Sequence, residues 1–483
     1  MERTKVDTIL RGGIVVTRDS ATQQDIAING EQIVAIGRAD LLPDAERIID
    51  LTGQYVLPGA IDCHAHYNYE GWDQGSVLSA LGGITTTIPF INCRRADSGA
   101  VADAVRHALD EANACSVIDF TFHVILSPTP DTDYRPLLAG VGDGVRLGVR
   151  SYKMFMGYRQ SGRNPVTDDF LYAAMVEIGA HDALTMVHAE NADLIAALEQ
   201  ELISQGKVTP EYFCGSRPVA AETEAINRAA EIARLAGAPL YIVHLTSAEG
   251  LALIKARVAE GQTIYTETCP QYLLLTEAEM SRIGPFAKIG PPLRAAAELD
   301  GLWRGIRRGE IPIVGSDHST SPREAKEPGW TNIFFDGDGN SIPFGAPSAE
   351  TMLPLLYSEG VVKRGLPVWW LARVLGENPA RVFGLYPRKG VIAVGSDADF
   401  TVIDPDGRTA FRGADLHSRA GYTPYEGWEL SGALALTMVR GQVVVQNGQV
   451  RQTGGFGRFV PGSPPMAPVY GAVTGAAAQG VTT

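Results

Sequence analysis

Cysteine is scarce in this sequence, and no two cysteines stand in a C-x-x-C pair. The five, at positions 63, 93, 115, 214 and 269, are odd in number and scattered. They therefore read as reduced thiols rather than a disulfide framework, which points to the cytoplasm. No stretch approaches the ~20 apolar residues that a membrane span needs, and the segment Met1 to Asp7 lacks the apolar core of a secretion signal. Runs of lysine and arginine are missing as well. With a formal net charge of -14, nucleic acid and anionic membrane surfaces are excluded as natural partners. What remains, 45% hydrophobic and 20% charged residues in a chain of 483, is the make-up of a soluble globular enzyme with a sizeable core. The length exceeds a typical single domain, so one large domain and a smaller one are expected.

Residues 6 to 56 alternate short apolar runs with turn signals, Asn29-Gly30 being the clearest, and predict a small antiparallel sheet. The same grammar returns at Asp399 to Ile403, Leu434 to Val439 and Val443 to Val445, followed by Asn447-Gly448. These flanks, 1–56 and 390–460, are expected to pair into one β-sandwich, because chain ends often lie close together. The segment 461–483, rich in Pro, Gly, Ala and Thr, has little to bury and reads as an extended or disordered tail that could reach a neighbouring subunit. Between the flanks, over 57–389, β-rich apolar runs alternate with helical stretches. Strands are expected at 56–62, 84–90, 118–126, 147–154, 184–189, 239–245, 263–267 and 311–316. Helical spacing marks Ala100 to Ala114, Asp168 to Ala180 and Glu222 to Ala236. Eight strands alternating with helices predict an α/β fold, a (β/α)8 TIM-type barrel, with its functional groups at the carboxyl ends of the strands.

The run Tyr55 to Ile61 reads as one short buried strand with His64 and His66 just past its end. In an extended backbone both imidazoles face one side while Ala65, and Cys63 as a packed thiol, face the other. A His-x-His at a strand end is half of a metal site, or equally two histidines bonded to a neighbouring loop. Other strand ends decide between these. Lys153 lies at the fourth, His188 at the fifth, His244 at the sixth and Asp317 at the eighth. Four of nine histidines, a lysine and an aspartate at equivalent places on five strands are hard to obtain by accident. Burial should lower the pKa of Lys153, although a lysine at a barrel mouth can also snorkel to solvent. A neutral amine reacts with carbon dioxide to give a carbamate, a bidentate anion able to bridge two cations. His64, His66, Asp317 and the modified lysine would then form one metal shell, and His188, His244 and the same lysine the other.

These residues resemble the amidohydrolase superfamily, and within it the hydantoinase and dihydropyrimidinase branch, over nearly the whole chain to about residue 455. The carriers are Gly59 to His66, Ser151 to Met156, Val187 to Asn191, Val243 to Ser247, Ser316 to His318, Pro291 to Arg294, Leu353 to Val361 and Tyr425 to Trp428. The resemblance implies a binuclear zinc site with Lys153 carboxylated, hydrolysing an amide bond in a small ring. It implies that Asp317 takes a proton from the attacking water and returns it to the departing ring nitrogen. Tyr158 matches the tyrosine that donates to the developing oxyanion; it also reads as an aromatic lid residue. The chain departs from the branch twice. Gly290 stands where serine is usual, and Phe344 where asparagine is usual, two positions thought to hold the ring amide through their backbone. The change makes the pocket wall more apolar and favours aryl-substituted hydantoins or other cyclic imides and amides over natural dihydropyrimidines.

Competing readings are an allantoinase, a dihydroorotase or a cyclic-imide hydrolase, the charged or ureido substrates calling for an arginine such as Arg159. Another is a non-catalytic scaffold, which the six filled ligand positions oppose. Relatives are commonly homotetramers, so a homo-oligomer is expected. The run 64–74 and the loop Asn92 to Arg95 are expected to shape the pocket.

Overall fold

The chain folds around a parallel barrel whose strands we number β1 to β8. They are Ala60–His66, Ile84–Cys93, His123–Leu126, Ser151–Phe155, Leu184–His188, Leu240–Ile242, Ile264–Thr268 and Ile313–Val314. This computed structural model describes residues 5–93, 97–128, 132–159 and 165–473. Each strand ladders with the next in parallel register from β1 to β8. Helices such as Ala100–Cys115, Asp168–Ala180 and Val219–Ala236 occupy the crossovers, the right-handed βα repeat that parallel strands require. Closure is made by one short segment. Ile313 and Val314 pair with β7, and four residues on His318 and Ser319 pair with Ala65 and His66 of β1. Between the two pairings, Ser316 donates from its backbone N–H (3.0 Å) and its hydroxyl (2.6 Å) to the buried carboxylate of Asp62. Inside, Ile61, Ile88, Ile125, Met186, Tyr241 and Ile313 from successive strands fill the barrel, so it is a packed core and not a channel.

Several expected boundaries move. The run Tyr55 to Ile61 is two strands in two sheets: Tyr55–Pro58 belongs to the sandwich, and Ala60–His66 is β1, which contains both histidines. Gly59 makes the break, since a Cβ there would fall 2.2 Å from the Thr85 hydroxyl and 2.8 Å from the Asp399 Cβ. A register shift between Asp62 and Ala65 also interrupts the alternation, so Cys63 turns inward, buried, with its Sγ 3.2 Å from Glu267. The third strand divides at Asp119–Phe120 and His123–Leu126. The fourth begins only at Ser151, because the chain turns at Gly148 (φ +95°) against Pro461 of the tail. β6 and β8 end at Ile242 and Val314, so His244 and Asp317 sit on the loops just beyond them.

Both chain ends build the second layer pair. A four-stranded sheet from residues 6–50 faces a seven-stranded sheet in which Phe400–Ala410 lies antiparallel to Tyr55–Pro58. Leu10, Ile26, Ile28, Val56, Phe400 and Met438 interdigitate between them. Asn447 (φ +50°) and Gly448 (φ +72°) both take the left-handed backbone that a two-residue hairpin turn demands. The tail, followed to residue 473, is extended and bound to its own barrel. Gly462 donates to the Gly148 carbonyl at 2.8 Å, Ser463 to that of Gly384 at 2.9 Å and Val473 to that of Arg307 at 2.8 Å; just before the tail, Phe459 stacks on Phe122 at 5.5 Å and Val460 enters the inner core. Residues 474–483 lie outside the described part.

Barrel and sandwich are tied by a buried ammonium. Lys389 Nζ lies 2.5 Å from Asp119, 2.7 Å from Asp399 and 3.0 Å from Asp397. Arg440 pairs with the same Asp119 and donates its backbone N–H to Asp399 at 2.7 Å. The three carboxylates also approach closely enough to hold a metal; Lys389 supplies the cation covalently. Lys389→Met should strand these charges away from water and destabilise the protein by about 3–5 kcal/mol. The loss is read as a lower urea midpoint, measured beside an exposed control such as Lys363→Met that stays near the wild-type value.

Candidate metal centre and substrate cavity

At the carboxyl ends of the strands His64, His66, Lys153, His188, His244 and Asp317 line one cavity of about 340 Å³, within the range of small-molecule sites. The barrel brings them together although some 250 residues separate the first from the last. All six are buried except Asp317, whose side chain is 12% exposed. Lys153 Nζ lies 5.0 Å from the centre of the Phe90 ring and 5.2 Å from that of Phe155.

Which imidazole nitrogen faces the cavity is set by carboxylates behind the rings. His64 Nδ1 is bonded to Glu267, which leaves Nε2 pointing at Asp317 Oδ1, 3.1 Å away; His66 Nε2 is 3.9 Å from the same oxygen. His188 Nε2 is bonded to Glu190 at 2.7 Å, which leaves Nδ1 facing His244 Nε2 at 2.8 Å. Histidine ligands are commonly oriented in this way, by a carboxylate on the nitrogen that does not bind the ion. Donor atoms of His64, His244 and Asp317 all lie within 4.8 Å of one another. The residues therefore fit a pair of divalent cations: imidazole nitrogens and a carboxylate converge, with the outer nitrogens of His64 and His188 already held by carboxylates.

The electrostatics agree. Burial pushes His188 down to about 4 against the pull of Glu190, and holds His244 well below the usual range. Both rings are neutral at pH 7, as ligation requires. Burial also opposes charge on His64, but Glu267 and Asp317 outweigh it and raise the ring to about 9, a proton that a cation would replace. Glu190 resists its own burial through Arg217 and His188 and falls to about 2. Six non-glycine residues have positive φ among the described residues, and three are here: Tyr158 (+72°), His244 (+37°) and Asp317 (+50°). Strain of this kind persists where the surroundings over-determine the backbone.

One wall of the cavity is aromatic. Tyr158 donates its hydroxyl to the Gly290 carbonyl at 2.8 Å, and a Cβ at position 290 would fall 2.2 Å from that hydroxyl. Phe344 meets the Tyr158 ring edge-on at 5.1 Å, and both lie about 5 Å from the Arg217 guanidinium. Two buried lysines clamp the loop that carries Phe344. Lys288 donates to Ile333 and Ile342 at 2.8 Å, and Lys326 to Gly345, Pro285 and Lys288. Arg159 is more than half exposed and pairs with Asp193 at 2.6 Å. Asn68 and Gly290 line the cavity, while Asn92 approaches through a 3.4 Å bond to Asn68; Arg94 and Arg95 lie outside the described residues.

Sequence reasoning did not single out Glu267, Glu190, Arg217, Lys288 or Lys326. For Glu267 a signal existed: a carboxylate in an otherwise apolar and threonine strand, near its carboxyl end. For Arg217 and the two lysines none did, since they come from loops or the ends of single helical turns and their partners are set by tertiary contact.

The model of the amidohydrolase family matches residues 55–444. An L-hydantoinase of Paenarthrobacter aurescens is 34% identical over 462 residues, covering 94% of this chain and 98% of that protein. A D-phenylhydantoinase of Escherichia coli O81 is 34% identical over 478 residues, covering 95% and 99%. The crystal structure of a dihydropyrimidinase from Brevibacillus agri superimposes with a TM-score of 0.88 at 32% identity, over 95% of this chain and all of that one. With the barrel, the two-sheet flank and the matched span in agreement, this chain belongs to the amidohydrolase family, in its hydantoinase and dihydropyrimidinase branch.

Proposed function

We propose that the protein hydrolyses a cyclic amide C–N bond, opening 5-substituted hydantoins or dihydropyrimidines to N-carbamoyl amino acids. The observation that carries this reading is the convergence of four histidines, Lys153 and Asp317 on one cavity, with the outer nitrogens of His64 and His188 held by buried carboxylates. His64, His66 and Asp317 would hold one zinc ion, His188 and His244 a second, and Lys153 would lie between them as its carbamate. The amine would add to carbon dioxide and lose one proton, forming a bidentate anion. Two bound cations acidify a water molecule and polarise the substrate carbonyl.

The chain supplies the rest. Asp317, within 3.1 Å of His64 and partly open to the cavity, is placed to take the proton of the attacking water on a carboxylate oxygen and deliver it to the ring nitrogen that departs. Tyr158 presents its hydroxyl from a fixed left-handed backbone and, on exchanging the Gly290 carbonyl for the substrate oxygen, stabilises the negative charge that develops there. The Gly290 carbonyl is then available to the ring N–H. Phe344 and Tyr158, packed edge to face, present an aromatic wall to the substituent on the ring, which supports aryl- or alkyl-substituted hydantoins. Arg159, engaged by Asp193, does not support an anionic ring such as dihydroorotate. All five cysteines are free, which supports the reducing cytoplasm as the compartment; no described helix is long and apolar enough to cross a membrane. A homotetramer is the assembly that the family resemblance supports.

Two experiments test this. A hydrolysis panel of 5-phenylhydantoin, 5-alkylhydantoins, dihydrouracil, allantoin, dihydroorotate and succinimide should rank the bulky hydantoins first. Phe344→Ala should lower kcat/KM for 5-phenylhydantoin by about tenfold, or about 1.4 kcal/mol, with a smaller loss for unsubstituted hydantoin; a ranking led by dihydroorotate contradicts the reading. Separately, chelation should abolish hydrolysis, and zinc with bicarbonate should restore it faster than zinc in carbonate-free buffer. Activity indifferent to chelation contradicts the metal assignment.

A further inference from the structure

Behind the histidines lies the fully buried carboxylate of Glu267 on β7, which does more than hold the outer nitrogen of His64. Its two oxygens have separate duties. Oε1 is bonded to His64 Nδ1 and, at 3.3 Å, accepts the backbone N–H of His244. Oε2 accepts the Tyr241 hydroxyl at 2.8 Å and the Cys63 thiol at 3.2 Å. Four donors from β1, β6 and the loop after β6 therefore meet one anion that water does not reach, and its acceptor capacity is used up. The eighth strand makes room for it: a Cβ on Gly315 would fall 3.1 Å from Oε2 and 2.9 Å from the His64 Cβ.

Two of these donors belong to different halves of the proposed centre. His64 is a ligand of one ion, and the bond to Oε1 fixes both its tautomer and its ring angle. His244 is a ligand of the other, and its backbone sits at φ +37°, a region that strains a non-glycine residue. The hydrogen bond to its N–H comes from the same oxygen. We propose that Glu267 is a positioning residue that builds both metal subsites at once, through the ring of His64 and the strained backbone of His244. This rests on the reading of the cavity as a binuclear centre, and adds a group that does not itself touch metal or substrate.

The test is zinc affinity of the demetallated protein, by competition with a chromophoric chelator, which requires no turnover. Glu267→Leu removes every bond and should weaken zinc binding by about 10–100-fold. Glu267→Asp keeps the charge but is one methylene short of spanning both sets of partners. It should lose at least tenfold, and it decides the matter if the leucine variant fails to fold. Glu267→Gln can turn its carbonyl to His64 and His244 and its amide to Tyr241, so it should stay within tenfold of wild type. Wild-type affinity in the Asp or Leu variant overturns the proposal. So does a glutamine variant as impaired as His64→Ala, which would make the charge rather than the placement decisive. If the wild-type protein itself binds no zinc, the binuclear reading fails instead, and the two outcomes are distinct.

Discussion

Ionisable groups withdrawn from water must be satisfied by one another, and at the carboxyl end of this barrel that requirement fixes nearly every functional side chain. Charge buried without a partner costs several kcal/mol, so each carboxylate recruits donors and each donor is thereby oriented. Glu190 holds His188 on one side and Arg217 on the other; Arg217 in turn lies against the rings of Tyr158 and Phe344. Glu222 does the same one turn of the barrel further on, accepting from Thr246 and facing Arg294, whose guanidinium donates to the Arg217 carbonyl. The result is a continuous set of bonds from the histidines to the aromatic wall. The rings of His64 and His188 are held in place by carboxylates on their outer nitrogens, the condition for a precise site.

The opposite end of the barrel is governed by the same rule with a different outcome. There, Lys389 and Arg440 stand among Asp119, Asp397 and Asp399. Clustered carboxylates would otherwise invite a metal ion, but covalent cations neutralise them, and the cluster serves to join sheet to barrel. The extended tail crosses this end, with Val460, just before it, inserted into the inner core. Stability is thus concentrated away from the cavity, and the strained backbones of Tyr158, His244 and Asp317 are borne by a scaffold closed at its far side.

Much of this was legible in the sequence because a barrel converts periodicity into position. Once β-rich runs alternate with helical ones, every strand end is directed to one face, and His64, Lys153, His188, His244 and Asp317 need no further information to be grouped. The helix Asp168–Ala180 was readable to the residue from its apolar spacing. Sequence was weaker where tertiary contact overrides pattern. The uninterrupted apolar run through Gly59 conceals a change of sheet, because both strands are buried. The inward turn of Cys63 follows from a bulge that no alternation rule contains. Arg217, Lys288 and Lys326 are basic side chains in the interior, and burial of that kind is visible only when the distant carboxylates, carbonyls and rings that receive them are in place.

The central claim is that a lysine set among rings and histidines becomes an anion between two cations. The most direct measurement is anomalous X-ray diffraction at the zinc edge from crystals grown with zinc and bicarbonate. The account predicts two zinc peaks, one among His64, His66 and Asp317 and one beside His188 and His244, with electron density for a carboxylate continuing from Lys153 Nζ toward both. An unmodified Lys153 with no zinc peak in the cavity would contradict it.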